Sequence, residues 1–214
     1  MFPEAVPEPV WKLLLALSAL DTMKHSYLAG GTALALQLGH RVSADLDFFT
    51  PEDEICQVFL EEIRALGVKA RVVVRTPNHL ELIIEAVKVD CLHERVALFF
   101  PLEVVDYEGG GFQMADMRDI GRMKLHAIAS RGGKKDFFDL YCLTRTAVPL
   151  EELLELAMEE QGTIRFSRLL FLKGLIDFEE AEREAPPVML WNIGWEEVKV
   201  GLTEEVKNIG WKWA

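Results

Sequence analysis

Cysteine is scarce in this sequence. There are three, Cys56, Cys91 and Cys142, far apart and with no CxxC pair. That spacing excludes a disulfide framework and a zinc ribbon, and small buried residues are the expected role. Long apolar runs are missing too: none reaches the roughly 18 residues that a membrane-spanning helix needs. The early run Val10–Leu20 is broken by Lys12 and Ser18 and follows Glu and Pro instead of a basic segment. It therefore does not read as a signal peptide, and a cytoplasmic protein without a membrane partner is expected. Positive charge is also short, with 23 Lys and Arg against 35 Asp and Glu, a formal net charge of −12. This disfavours indiscriminate nucleic-acid binding, which phosphate neutralisation drives, and leaves room for a local basic groove. What is present is ordinary for a globular protein: 50% hydrophobic and 27% charged residues over 214 positions. One large domain or two small ones fit that length.

The most unusual stretch is 28–50, LAGGTALALQLGHRVSADLDFFT. A short apolar run ends in Gly30-Gly31-Thr32, and the acids Asp45 and Asp47 follow inside an apolar setting. On a strand, i and i+2 share a face and lie roughly 7 Å apart. Asp45 and Asp47 then point one way, and Leu46 and Phe48 point the other way into a core. Two neighbouring carboxylates repel unless a cation sits with them, and a divalent metal is the natural candidate. A third acid is expected from a neighbouring strand: Asp90, flanked by Val89 and Cys91, leads, with Glu81 and Glu85 as competitors. Gly30-Gly31 lets backbone come close to a phosphate. Thr32 then opens a helix whose first N–H groups favour an anion.

The pattern along the chain predicts an α/β half over about 1–112 and a helical half over about 113–214. The first nine residues, with three prolines, read as an extended arm. In the first half helices are expected over 10–23, 32–38 and 50–66, the last with Thr50 as its cap and Pro51-Glu52-Asp53 as its first turn. Strands are expected over 27–30, 45–49, 71–75, 80–85, 87–92 and 102–107, with the third to fifth as an antiparallel meander beside the first two. Gly109-Gly110-Gly111 has no helix directly after it and reads as a hairpin or linker. In the second half helices are expected over 116–130, 134–146, 149–161 and 166–180. The tail repeats itself: Asn192-Ile193-Gly194-Trp195 returns as Asn208-Ile209-Gly210-Trp211. It also holds four of the five tryptophans, at 191, 195, 211 and 213. Two units are too few for a solenoid, so the tail reads as an amphipathic helix folded onto the body or as an aromatic docking surface.

The second chemical constellation is 118–139, RDIGRMKLHAIASRGGKKDFFD. It gathers Arg118, Arg122, Lys124, Arg131, Lys134 and Lys135 in an otherwise acidic chain. Solvated helix faces with weak ion pairs would account for it. A wall that binds a triphosphate accounts for the concentration of cations better. Arg41 reads as a loop residue that pairs locally, and His25, His79, His93 and His126 lack ligand spacing and read as structural.

Taken together, Gly30-Gly31-Thr32 with Asp45 and Asp47, the strand carrying Asp90, and the run from Asp119 to Leu143 resemble the AbiEii/AbiGii nucleotidyltransferase family. These are the toxins of type IV toxin–antitoxin and abortive-infection systems, within the polymerase-β-like nucleotidyltransferase superfamily. The motifs fall in order over about residues 28–145. The resemblance implies an α+β fold, a mixed nucleotidyltransferase sheet with helices followed by a helical C-terminal subdomain. It implies that Asp45, Asp47 and Asp90 bind metal, with Mg²⁺ in a two-metal site and an NTP as substrate. It implies that Lys124 contacts the nucleotide phosphates and that Asp136 is a catalytic or nucleotide-site residue, with Arg131 and Lys135 nearby. Gly30, Gly31 and Thr32 complete the nucleotide-binding set.

The function expected is Mg²⁺-dependent transfer of a nucleoside monophosphate from an NTP to an acceptor on RNA, a tRNA end by family analogy, or on protein. The biological setting would be a toxin with a cognate antitoxin. The alternative is a catalytically silent module of the same fold that binds a nucleotide or a partner.

Overall fold

The computed structural model describes residues 1–51, 55–93, 98–107, 110–159 and 167–211. The chain divides into two compact units, Met1–Asp116 and Met117–Ala214. Among the described residues, no helix is long and apolar enough to cross a membrane.

The first unit is built on a seven-stranded mixed sheet. Its strands are β1 (Tyr27–Ala29), β2 (Leu46–Thr50), β3 (Ala70–Thr76), β4 (His79–Ile84), β5 (Val87–His93), β6 (Glu103–Tyr107) and β7 (Gly110–Met114), in the order β3-β4-β5-β2-β1-β7-β6. The expected meander is β3-β4-β5, and β5 joins β2 in parallel. β6 and β7 form an antiparallel hairpin, with Gly110 and Gly111 inside β7; Gly109 lies outside the described residues. The helices are α1 (Glu8–Ser18), α2 (Gly30–Leu38) and α3 (Ile55–Ala65).

Alternation fixes the two faces of the central strands. Leu46, Phe48, Leu80, Leu82, Ile84, Val87, Val89 and Cys91 are buried on one face. Fully burying a side chain of this size contributes about 1.5–3 kcal/mol, so a one-residue slip of register would be prohibitive. The same alternation sends Asp47, His79, Glu81, Lys88 and Asp90 to the opposite face. The β4–β5 register is set by a two-residue turn, Glu85-Ala86, with both residues at positive φ (49° and 72°). That geometry suits a hairpin between right-twisted strands, although neither residue is the Gly or Asn it favours. Glu85, weighed as a third acid, is therefore a turn residue.

The first helix is shorter than expected. It stops at Ser18, and Asp21–His25 forms a 3₁₀ turn. The Thr22 hydroxyl donates to Glu62 Oε2 of α3 at 2.5 Å, and this tertiary bond competes with continuing the helix. Thr50, the expected cap of α3, is instead the last residue of β2, where its hydroxyl donates to the His25 carbonyl at 3.2 Å; Glu52 and Asp53 of the expected first turn lie outside the described residues, as does the Cys56 side chain.

The second unit is helical: α4 (Met117–Arg131), α5 (Lys134–Thr146), α6 (Leu150–Glu159), α7 (Arg168–Gly174), α8 (Glu179–Glu182) and α9 (Trp195–Trp211). α4 packs against α5, α6 and α7. Gly121 makes this approach possible, because a Cβ there would lie 2.7 Å from the side chains of both Leu143 and Leu153. Where one helix was expected over 166–180 there are two, α7 and α8, with a break after Gly174. Residues 160–166, which include the expected end of α6 at Gln161 and start of α7 at Phe166, lie outside the described residues.

The repeated tail forms one helix against the body of this unit. Val198, Leu202 and Ile209 of α9 are buried, and α9 packs on α5. Trp195 sits among Phe137, Phe138 and Phe178, with ring centroids 5.6–5.8 Å from its own. Aromatic pairs at such spacings add about 0.5–1.5 kcal/mol beyond the area they bury. The second copy of the motif ends α9, and Trp213 lies outside the described residues.

Candidate active site

Three carboxylates, those of Asp47, Asp90 and Glu81, share the polar face of the first unit's sheet. Asp47 pairs in register with Asp90 on β5, and Asp90 pairs in register with Glu81 on β4. Residues in register on adjacent strands share a face about 5 Å apart. Asp45 stands one residue before β2, two before Asp47. Asp45 and Asp47 are half-buried, and Asp90 is buried with 4% of its surface exposed.

Two local devices hold Asp45 and Asp47. Asp47 lies opposite Ala29, the last residue of β1. At the next residue, Gly30, the chain turns at φ 64° into α2. A Cβ on Gly30 would overlap Asp47 Oδ2, so only glycine allows both the left-handed backbone and the close approach. The first turn of α2 therefore lies beside the Asp47 carboxylate. Its backbone N–H groups and the positive end of the helix dipole favour negative charge there. Thr32 is fully buried. Its hydroxyl donates to the Asp45 carbonyl and lies 2.9 Å from Ser43 Oγ. Its side chain thus braces the loop that delivers Asp45. Arg41, 3% exposed, donates to the Val42 carbonyl at 3.1 Å, as the local pairing expected for it requires.

Asp90 has two neighbours that sequence reasoning did not give it. Its Oδ1 lies 2.6 Å from His79 Nε2, and its Oδ2 lies 2.7 Å from Lys88 Nζ. Lys88 also reaches Glu81 Oε2 at 3.4 Å. Burial opposes the Lys88 charge, but the hydrogen bonds and charges of Asp90 and Glu81 outweigh it and hold its pKa above the usual lysine value. Among the described residues, the three metal-capable side chains whose ligand atoms lie within 4.8 Å of one another are His79, Glu81 and Asp90. Asp45 and Asp47 are not members of that group. The signal that could have found Lys88 was present, since Lys88 and Asp90 are i and i+2 on one strand. His79 and Glu81 needed the cross-strand register.

Asp45 and Asp47 are hard oxygen donors of the kind a divalent ion takes, and the backbone beside Asp47 is shaped so closely that no side chain fits at Gly30.

The second unit has its own ionisable cluster. Lys124 of α4 is buried, and its Nζ lies 2.7 Å from Asp136 Oδ1 and 2.6 Å from Asp139 Oδ2, both on α5. Arg131 donates to Asp136 Oδ2 through Nε at 3.2 Å and Nη2 at 3.1 Å. Of the basic residues expected here, Arg131 and Lys135 are exposed, whereas Lys124, Lys134 and Arg122 are buried. Arg122 pairs with the buried Asp119 at 2.9 Å. The backbone N–H of Lys134 donates to Glu184 Oε2 at 2.8 Å, which fastens the start of α5.

This sheet, with acids on neighbouring strands, a glycine turn into a helix and C-terminal helices beyond, is that of the polymerase-β-like nucleotidyltransferases. The chain belongs to the AbiEii family: the profile described as nucleotidyl transferase AbiEii toxin, type IV TA system, matches residues 12–214. A protein of Aquifex aeolicus (strain VF5), itself uncharacterized, is 35% identical over 185 residues, 85% of this chain and 86% of its own length. Among solved structures, the nucleotidyltransferase toxin MenT4 of Mycobacterium tuberculosis H37Rv superposes with a TM-score of 0.65 at 18% identity, over 90% of this chain and 79% of that one. The antibiotic-resistance factor ANT(2'')-Ia superposes with a TM-score of 0.51 at 17% identity, over 70% and 88%. At those identities the structural likeness speaks for the fold alone.

Proposed function

We propose that this protein transfers a nucleoside monophosphate from an NTP to an acceptor hydroxyl on RNA or protein, with Mg²⁺, as the toxin of a toxin–antitoxin pair. The observation that carries this reading is the register Asp47–Asp90 beside the Gly30 turn. It puts hard oxygen ligands next to a helix N-terminus suited to phosphate. Asp45 and Asp47 hold Mg²⁺, and the N–H groups of Gly30, Gly31 and Thr32 hold phosphate oxygens. When bound, the ion neutralises phosphate charge and supports in-line displacement. The acceptor oxygen bonds to the α-phosphorus, the bond from it to the β-phosphate bridge breaks, and pyrophosphate leaves. Asp90, beside Asp47, aligns the attacking hydroxyl and takes its proton. In the helical unit, Arg131 and Lys135 are the exposed residues among the cations that the family resemblance assigns to the nucleotide. Lys124 holds Asp136 in place. The cognate antitoxin is the partner that the family implies.

The test is transfer of label from each of the four α-³²P-labelled NTPs to total RNA and total protein. Label is expected on one acceptor class with Mg²⁺ present and is lost on adding EDTA. Nucleotide binding without transfer from any NTP would favour the silent binding module.

A further inference from the structure

The β4–β5 hairpin brings a nitrogen ligand to the acidic face. His79 and Glu81 stand two apart on β4, and Asp90 of β5 is in register with Glu81, so all three side chains leave the sheet on one side. Their ligand atoms, a His79 ring nitrogen and one oxygen from each carboxylate, lie within 4.8 Å of one another. His79 Nε2 and Asp90 Oδ1 are 2.6 Å apart and share a proton. Two adjacent strands fix the backbone of all three residues, so binding an ion has little left to order.

The donor set differs in kind from a pair of carboxylates. Mg²⁺ takes oxygen ligands and keeps several waters, whereas imidazole nitrogen suits Zn²⁺ and its first-row neighbours. One nitrogen and two carboxylate oxygens, with a fourth position for water, is a coordination that Zn²⁺ accepts. The same place already holds positive charge: Lys88 Nζ lies 2.7 Å from Asp90 Oδ2 and 3.4 Å from Glu81 Oε2. The Lys88 side chain is 41% exposed and has water to turn into when a doubly charged ion enters, whereas the Asp90 and Glu81 side chains are 6% and 19% exposed.

We propose that His79, Glu81 and Asp90 form a site for a transition-metal ion of the Zn²⁺ class, separate from the ion on Asp45 and Asp47. The ion replaces the proton between His79 and Asp90 and displaces the Lys88 ammonium, which competes with it for the same two carboxylates. One consequence rests on the transfer reading above: an Asp90 carboxylate bound to zinc no longer takes the proton of the acceptor hydroxyl, so transfer stops.

Isothermal titration of the untagged full chain with Zn²⁺, in millimolar Mg²⁺, tests the site without turnover. One Zn²⁺ per chain is expected. His79→Gln is expected to raise the Kd more than about 100-fold, the upper end of what losing a group that merely supports a ligand costs. Lys88→Met is expected to lower the Kd about tenfold, as removing a like charge at this range does for a neighbouring group. That gain is a result misfolding cannot mimic, and circular dichroism confirms that each variant is folded. Asp47→Asn is expected to keep the site. Absence of zinc binding in the wild type, or a Kd that His79→Gln leaves unchanged, overturns the inference. Zinc binding that Asp47→Asn abolishes also overturns it, because the ion then sits on the other acids. A Kd that Lys88→Met does not lower overturns the competition. In the label-transfer assay, zinc at the concentration that fills the site is expected to stop labelling. Labelling that continues with the site filled leaves the site standing and removes Asp90 from proton transfer.

Discussion

Replacing Asp47 with Asn is expected to reduce nucleotidyl transfer by about three orders of magnitude while the protein stays folded. The amide keeps the size of the carboxylate but not its charge, and a metal clamp on a transferring phosphoryl group supplies several kcal/mol, each 1.36 kcal/mol being worth tenfold in rate. Stability should change little. Asp47 is half-buried and stands in register with Asp90, so losing its charge also relieves repulsion between like charges. Label transfer and a thermal melt by circular dichroism, run on the same preparation, separate the two effects. Turnover within tenfold of the wild type would remove Asp47 from the chemistry.

The second large effect is on stability. Lys124→Met removes an ammonium that lies within 2.7 Å of two buried carboxylates, Asp136 and Asp139. Breaking a buried pair from one side costs about 3–5 kcal/mol, because the other charges stay in a poorly solvated setting. Urea denaturation should show that loss. Arg131 still reaches Asp136, but its side chain is 71% exposed and its charge is screened by water. Removing an acid together with the lysine should recover much of the stability, so Lys124→Met with Asp139→Leu should denature at a higher urea concentration than Lys124→Met alone. A loss below about 1 kcal/mol for the single variant would show that the cluster is not acting as a buried ion-pair network. The double variant also bears on activity: transfer that stays low once stability has recovered separates a role in nucleotide handling from a role in folding.

The acidic strand was legible in the sequence because its information is local. Asp45 and Asp47 flank Leu46, so a period of two assigns both faces without knowledge of any neighbour. The meander and the helical second half were legible for the same reason. The surroundings of Asp90 were not. They depend on the β4–β5 register, and that register depends on a turn made by Glu85 and Ala86 at positive φ, where nothing in the residue types announces it. Glu85 read as a strand acid until the turn placed it, and His79 read as structural until the register brought it to Asp90. The burial of Lys124 was hidden as well. A run of six cations reads as a solvated or phosphate-facing surface, but α5 returns Asp136 and Asp139 to α4 and closes over the ammonium. The length of α1 followed from a bond to Glu62, forty residues away, which no window of local propensity contains.

The proposed transfer chemistry stands on a divalent ion held by Asp45 and Asp47 at the turn into α2. Anomalous diffraction at the manganese edge, from crystals grown with Mn²⁺ and the α,β-methylene analogue of the NTP that labels best, tests it most directly. Manganese is expected within coordination distance of both carboxylates, with phosphate oxygens at the N–H groups of Gly30 and Gly31. A peak among His79, Glu81 and Asp90, with none at Asp45 and Asp47, would contradict it.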